Sequence, residues 1–251
     1  MLIDIHCHAN LYLNLQEVIS EAKDIGVEKI ISVGMSVTSQ KRIIEITRKY
    51  SLLYPALGIH PEEVKMNKNL KIDLDDTIEF IRNHKNEICA IGEIGLDHHF
   101  IKDNSLYPLQ EQVFDEMLKL AQDFQLPVNL HTKGAEKEIF ETLPSYDIPN
   151  VNLHWYTGPE EFLIEGLNRG YFFSFNPAIN YSPPVKKYIR LVDKEHILLE
   201  SDGPVKFSGK IGKPSMTKNV LSKISDIKDI PVEELENQIE QNTKEIFPKI
   251  F

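Results

Sequence analysis

The chain has 251 residues, 41% hydrophobic and 26% charged, a globular balance with ample material for a large core. Lys and Arg number 28 against 38 Asp and Glu, and the net charge of −10 repels nucleic acid and acidic membranes at long range, which excludes a basic polyanion coat. No apolar run approaches the roughly 18 residues of a membrane span, and Cys7 and Cys89 are too few for a disulfide framework, so a reduced cytoplasmic protein is expected.

The first predicted strand, residues 2–8, begins without the basic segment and apolar stretch of a signal peptide. It ends on His6-Cys7-His8, where residues two apart share a face, so His6 and His8 point together and Cys7 points away. A helix is predicted over 15–25, with Val18, Ile19, Ala22 and Ile25 on one face and Gly26 as a stop. A strand at 29–35 and a helix at 38–50 follow. The third strand, 54–60, closes on His60, and the fourth, 88–97, carries Glu93 in its interior; no helix is assigned between these two.

A helix at 109–124, with Val113, Phe114, Met117, Leu118 and Ala121 at helical spacing, leads to the fifth strand, 127–132, and His131. Helices at 137–143, 160–167 and 185–192 separate strands at 150–155, 171–176 and 197–202. The sixth strand closes on His154 and the eighth on Asp202. Helices at 215–227 and 232–247 complete the chain.

These strand runs are nearly continuously apolar, as strands buried on both faces read. Eight of them alternating with helices in one chain of this length predict a single (β/α)₈ TIM-barrel domain over 1–251. An open doubly wound sheet is the competing architecture, disfavoured because no Gly-rich phosphate fingerprint follows the first strand. In such a barrel the active site lies at the carboxyl ends of the strands. Five of the nine histidines, His6, His8, His60, His131 and His154, close predicted strands.

Paired imidazoles at one strand end are natural ligands for a transition metal. With Glu93, His131, His154 and Asp202 the set reaches six, too many for one tetrahedral ion and suited to two ions sharing a carboxylate. Glu93 and Asp202 have no Lys or Arg in their own strands, and a metal would offset the cost of burying them. Cys7 and Cys89 read as small core residues, and His84 and His196 as structural. Trp155, Tyr156 and Phe207 follow strand ends and suit either a pocket wall or ordinary packing.

Read together, Asp4-Ile5-His6-Cys7-His8, Gly58-Ile59-His60-Pro61, Ile91-Gly92-Glu93-Ile94-Gly95-Leu96-Asp97, the His131 strand, His154-Trp155-Tyr156-Thr157-Gly158 and Glu200-Ser201-Asp202-Gly203-Pro204 resemble the signature blocks of the TatD-like metal-dependent deoxyribonucleases of the amidohydrolase superfamily. The resemblance implies a barrel holding two divalent ions (Mg, Mn or Zn) that hydrolyses DNA phosphodiesters, often as a 3′-to-5′ exonuclease. It places His6, His8, Glu93 and Asp202 on one ion and Glu93, His131 and His154 on the other. It makes Asp202 the residue that orients or deprotonates the attacking water, beside the bridging Glu93, and puts His60 against a substrate phosphate.

The chain departs from the family on the substrate side. His98 and His99 follow Asp97 where a tyrosine is usual, Lys133 stands for an arginine, and Glu62 for a histidine. The segment 205–213 brings Lys206, Lys210 and Lys213 with no acid, so Lys133, Lys206 and Lys210 are the expected phosphate-binding cations. DNA is the expected partner, and no protein partner is indicated. The competing readings are a related barrel hydrolysing a small-molecule ester, lactone, amide or phosphotriester, which the net acidity favours, and a metal-binding scaffold without turnover.

Overall fold

The computed structural model describes the backbone of residues 1–251 and all side chains except those of Lys71 and Ile72. Eight parallel strands run in sequential order: β1 (Leu2–Cys7), β2 (Val27–Val33), β3 (Leu53–Leu57), β4 (Ala90–Asp97), β5 (Val128–Lys133), β6 (Val151–His154), β7 (Phe172–Phe175) and β8 (Ile197–Leu199). Helices intervene: α1 (Leu15–Asp24), α2 (Ser39–Lys49), α3 (Glu63–Met66), α4 (Leu70–Asn83), α5 (Tyr107–Phe124), α6 (Glu136–Thr142), α7 (Glu160–Asn168), α8 (Pro183–Leu191), α9 (Thr217–Lys228) and α10 (Val232–Ile246). The result is a nearly closed (β/α)₈ barrel.

The chain just past β8 closes the barrel. Asp202 N–H donates to His6 O at 2.9 Å and His8 N–H to Gly203 O at 2.7 Å. Below them the Asp4 carboxylate accepts from Ser201 N–H at 2.9 Å and from Ser201 Oγ at 2.5 Å. Burial pushes the Asp4 carboxyl up to about 7 against these hydrogen bonds. Every residue of β1, β4, β6, β7 and β8 is buried, as continuous apolar runs require. Ile246, Phe247 and Ile250 at the end of the chain pack with Ile3, Ile5, Ile31 and Leu198.

Three features differ from the sequence reading. Helices α3 and α4 occupy the β3–β4 connection, where no helix was expected. In α4 the buried face is sparse, with the polar Thr77 standing between Leu70, Leu74 and Ile81, while Asp75 and Asp76 are exposed. His60 lies three residues beyond β3, and Asp202 three beyond β8, rather than within strands. The lysine segment is a hairpin, β9 (Lys206–Phe207) against β10 (Lys210–Ile211), turned by Ser208 (φ 49°) and Gly209 (φ 83°).

Candidate metal centre

All six residues expected to bind metal converge at the carboxyl end of the barrel. His6, His8 and Glu93 offer ligand atoms within 4.8 Å of one another, as do His6, His154 and Asp202, and His60, Glu93 and His131. His60 therefore joins the cluster itself, accompanying Glu93 and His131, while His154 groups with His6 and Asp202.

Each side chain is aimed by its element. His6 lies near the end of β1 and His8 one residue past it, both with Nε2 towards Glu93, and the His6 ring stacks on that of His154 at 3.8 Å. Glu93 sits deeper in its strand than the others sit in theirs, and a register irregularity re-aims it. Gly92 pairs with Asn129 and Ile94 with Leu130, leaving Glu93 as the extra residue of a bulge. Its Oε2 lies 3.4 Å from His6 Nε2 and 3.6 Å from His8 Nε2; its Oε1 lies 3.1 Å from His131 Nδ1 and 3.5 Å from His154 Nε2. Asp202, in a left-handed conformation (φ 46°), places Oδ1 3.3 Å from His8 Nε2 and 3.7 Å from His6 Nε2.

A buried polar framework holds the imidazoles from behind. His6 Nδ1 meets Asn129 Oδ1 at 3.2 Å, Asn152 Nδ2 donates to the same oxygen at 3.2 Å and to Ser174 Oγ at 2.9 Å, and Ser174 Oγ donates to Glu200. The Glu200 carboxylate meets His154 Nδ1 at 3.0 Å and accepts from Asn176 Nδ2 at 3.0 Å. On the other side Asp97 Oδ2 meets His131 Nε2 at 2.8 Å, while its Oδ1 accepts from the His99 and Phe100 N–H groups. Asn129, Glu200 and Asp97 are supports that the sequence reading did not assign. Asp97 and Glu200 lie inside motifs it quoted, four residues after Glu93 and two before Asp202.

The electrostatics suit a cation. Burial opposes ionisation of Glu93, yet His60 and His6 hold its carboxyl well below the usual range. Burial likewise opposes the charge on Asp202, but His154, His8 and His6 outweigh it, so its pKa is lowered. At His6 burial disfavours the imidazolium, but Glu93, Asp202 and Glu200 raise its pKa to about 10. Burial also works against the charge on His131, and Asp97 and Glu93 outweigh it, so its pKa is raised. Burial lowers that of His60, whose Nδ1 accepts the Glu62 N–H at 3.1 Å. Its Nε2 is therefore the protonated nitrogen, 3.1 Å from His131 Nδ1. Among the described residues the buried His6 Nε2 and His8 Nδ1 have no hydrogen-bond partner. Convergent imidazoles and carboxylates with an orphaned nitrogen aimed among them fit divalent metal.

The centre floors a cavity of about 810 Å³, lined by His8, His60, Glu93, His131, His154 and Asp202 but not by His6. Lys133 also lines it. Its Nζ donates to Trp155 O at 2.6 Å and Thr157 Oγ1 at 2.9 Å, and burial lowers its pKa. Lys206 and Lys210 are exposed on the hairpin and are not among the lining residues. Lys213 pairs with Glu21 at 2.6 Å, so the hairpin is less free of acids than its own sequence suggested. Trp155 lines the cavity and packs on Phe207 with ring centroids 5.4 Å apart, whereas Tyr156 is core, against Phe173 and Tyr188.

Comparison with known proteins agrees with this architecture. A family profile described as TatD related DNase matches residues 3–248. An uncharacterized metal-dependent hydrolase of Methanocaldococcus jannaschii is 32% identical over 98% of this chain and 97% of its own. The deoxyribonuclease TATDN3 of Homo sapiens is 30% identical over 99% of this chain and 95% of its own. Among solved structures, the TatD homologue YjjV of Escherichia coli superimposes with a TM-score of 0.89 at 25% identity, covering 98% of each chain.

Proposed function

The chain belongs to the TatD-related DNase family of metal-dependent ester hydrolases, and from that premise we propose that it cleaves phosphodiester bonds in DNA at a centre of two divalent ions. The observation that carries this reading is the donor set: the four imidazoles of His6, His8, His131 and His154 and the two carboxylates of Glu93 and Asp202 converge on one centre, and Glu93 directs one oxygen to His6 and His8 and the other to His131 and His154. A carboxylate facing both ways is the natural bridge between two ions. His6, His8 and Asp202 would complete one position and His131 and His154 the other, with Mg, Mn or Zn as the candidate metals.

Bound divalent ions would lower the pKa of water and neutralise charge on phosphoryl oxygens. The remaining steps belong to the protein. Asp202, ionised and on the cavity wall, accepts the proton of the attacking water. His60 presents its Nε2–H to a phosphoryl oxygen, a tautomer fixed by the Glu62 N–H. Glu200 and Asp97 keep His154 and His131 in the tautomers that point a bare nitrogen at the cavity. Lys133 supplies a local positive charge, and the rim lysines Lys206 and Lys210 guide the strand towards it.

With added Mg²⁺ or Mn²⁺ the purified protein should degrade DNA, and Asp202→Ala should lower the rate by at least about 100-fold. Release of mononucleotides from a 3′-labelled strand before a 5′-labelled one identifies the exonuclease mode. The net charge of −10 favours a second reading, hydrolysis of a small ester or lactone. Turnover of such substrates with no action on any DNA would replace the first reading with the second.

A further inference from the structure

The cavity has walls outside the metal cluster, and their chemistry is unused by the hydrolytic step. Glu136, at the start of α6, lines the cavity although the residue is only 7% exposed. Its Oε1 accepts the Gly134 N–H at 3.3 Å, its only side-chain hydrogen bond among the described residues. Gly158, from the β6–α7 connection, packs so closely that a Cβ there would stand 2.5 Å from that oxygen. The carboxylate is thus wedged between two loops with acceptor capacity to spare.

A buried carboxylate repels phosphate, so this part of the cavity suits a neutral group bearing N–H donors. The same cavity is also lined by three aromatic side chains. Phe100 is 61% exposed and Tyr181 47%, and both line the cavity with Trp155. Exposed rings around a cavity are stacking surfaces for a planar ligand.

We propose that this wall is a nucleobase subsite, in which one unstacked base of the substrate lies against Phe100, Trp155 and Tyr181 and donates its Watson–Crick edge to Glu136. The proposal rests on the phosphodiesterase reading and adds base selectivity to it. Guanine offers two adjacent donors, N1–H and the N2 amino group, which match one carboxylate. Thymine offers a single N–H between two carbonyls, which the carboxylate repels. Guanine is therefore the favoured occupant and thymine the least favoured.

Trp155 is the only tryptophan in the chain, so its fluorescence reports the subsite directly. The experiment titrates dGMP, dTMP and 2-deoxyribose 5-phosphate into the protein with Mg²⁺ present. dGMP should bind about tenfold more tightly than dTMP, and more tightly than the base-free sugar phosphate. Glu136→Gln should remove the guanine-over-thymine ratio. Phe100→Ala, a change at an exposed residue outside the core, should narrow the gap between nucleotides and sugar phosphate. Equal affinities for all three ligands, or ratios unmoved by both variants, overturn the subsite even if DNA is cleaved. Hydrolysis of small esters with no action on DNA overturns the phosphodiesterase reading and the subsite together.

Discussion

His6 carries the protonation problem of the site. Its Nδ1 is committed to Asn129, and its Nε2 faces Glu93 at 3.4 Å and Asp202 at 3.7 Å. Burial disfavours a charged ring there, but the carboxylates outweigh it and raise the pKa to about 10. In the metal-free protein at neutral pH the imidazole holds a proton, which a divalent ion must displace. Metal affinity should therefore rise with pH, by about tenfold per unit for one proton, levelling near pH 10. Calorimetry in two buffers of different ionisation enthalpy should show about one proton released at pH 7.5; an affinity indifferent to pH would reject this picture. The same shift fixes a stability trend. A raised imidazole pKa stabilises the metal-free fold fully below the unfolded value of about 6.5, and that contribution is lost as pH rises towards 10. Thermal midpoints without metal should fall over that window. Glu200 makes a second prediction at this scale. Glu200→Gln keeps the shape but weakens the hold on His154 Nδ1, and metal affinity should drop about 10- to 100-fold in a metal titration. The converging ligands were legible in the sequence because histidines and acids at inward strand positions are chemically distinctive. Asn129, Glu200 and Asp97 were not, because their partners lie on other strands, and cross-strand register leaves no local trace.

At the scale of elements, the site depends on how closely β4 approaches its neighbours. Gly95 follows the bulged Glu93 by two residues and has φ +145°, and an added Cβ would collide with the carbonyl oxygen of His131. Only glycine combines that conformation with that contact. Gly95→Ala should destabilise the fold by more than about 3 kcal/mol and disturb metal binding, because it pushes the β5 ligand away from Glu93. Gly170, in the α7–β7 turn, also has positive φ (+76°) but, among the described residues, nothing within 4 Å of an added Cβ. Gly170→Ala should therefore cost only about 1 kcal/mol. Denaturant midpoints compare the two, and equal losses would show that conformation, not the approach of β4 to β5, sets the penalty. The strands and most helices were legible from apolar runs and helical spacing. Helix α4 escaped because its apolar face is sparse, Leu70, Leu74 and Ile81 with a buried Thr77 among them, and tertiary packing supplies what the pattern lacks. The β9–β10 hairpin escaped because two-residue strands are too short to carry an alternation.

At the scale of the whole molecule, a net charge of −10 meets a proposed polyanionic substrate. Long-range repulsion lowers encounter rates, so affinity must come from short-range cations and from metal. Lys133 is half-buried and already donates two hydrogen bonds, and Lys213 is paired with Glu21, which leaves Lys206 and Lys210 as exposed cations of the hairpin at the rim. If these two contact phosphates, each should contribute about 0.7 to the slope of log affinity against log salt on single-stranded DNA. The double variant Lys206→Ala with Lys210→Ala should then flatten the slope by about 1.4 in anisotropy titrations. It should raise KM for DNA while leaving kcat nearly unchanged, because neither lysine lines the cavity where the bond breaks. An unchanged slope would mean that the hairpin lysines are solvated surface. The strand would then be held within the cavity alone, by metal, Lys133 and the aromatic walls, and a short oligonucleotide should bind as tightly as a long one.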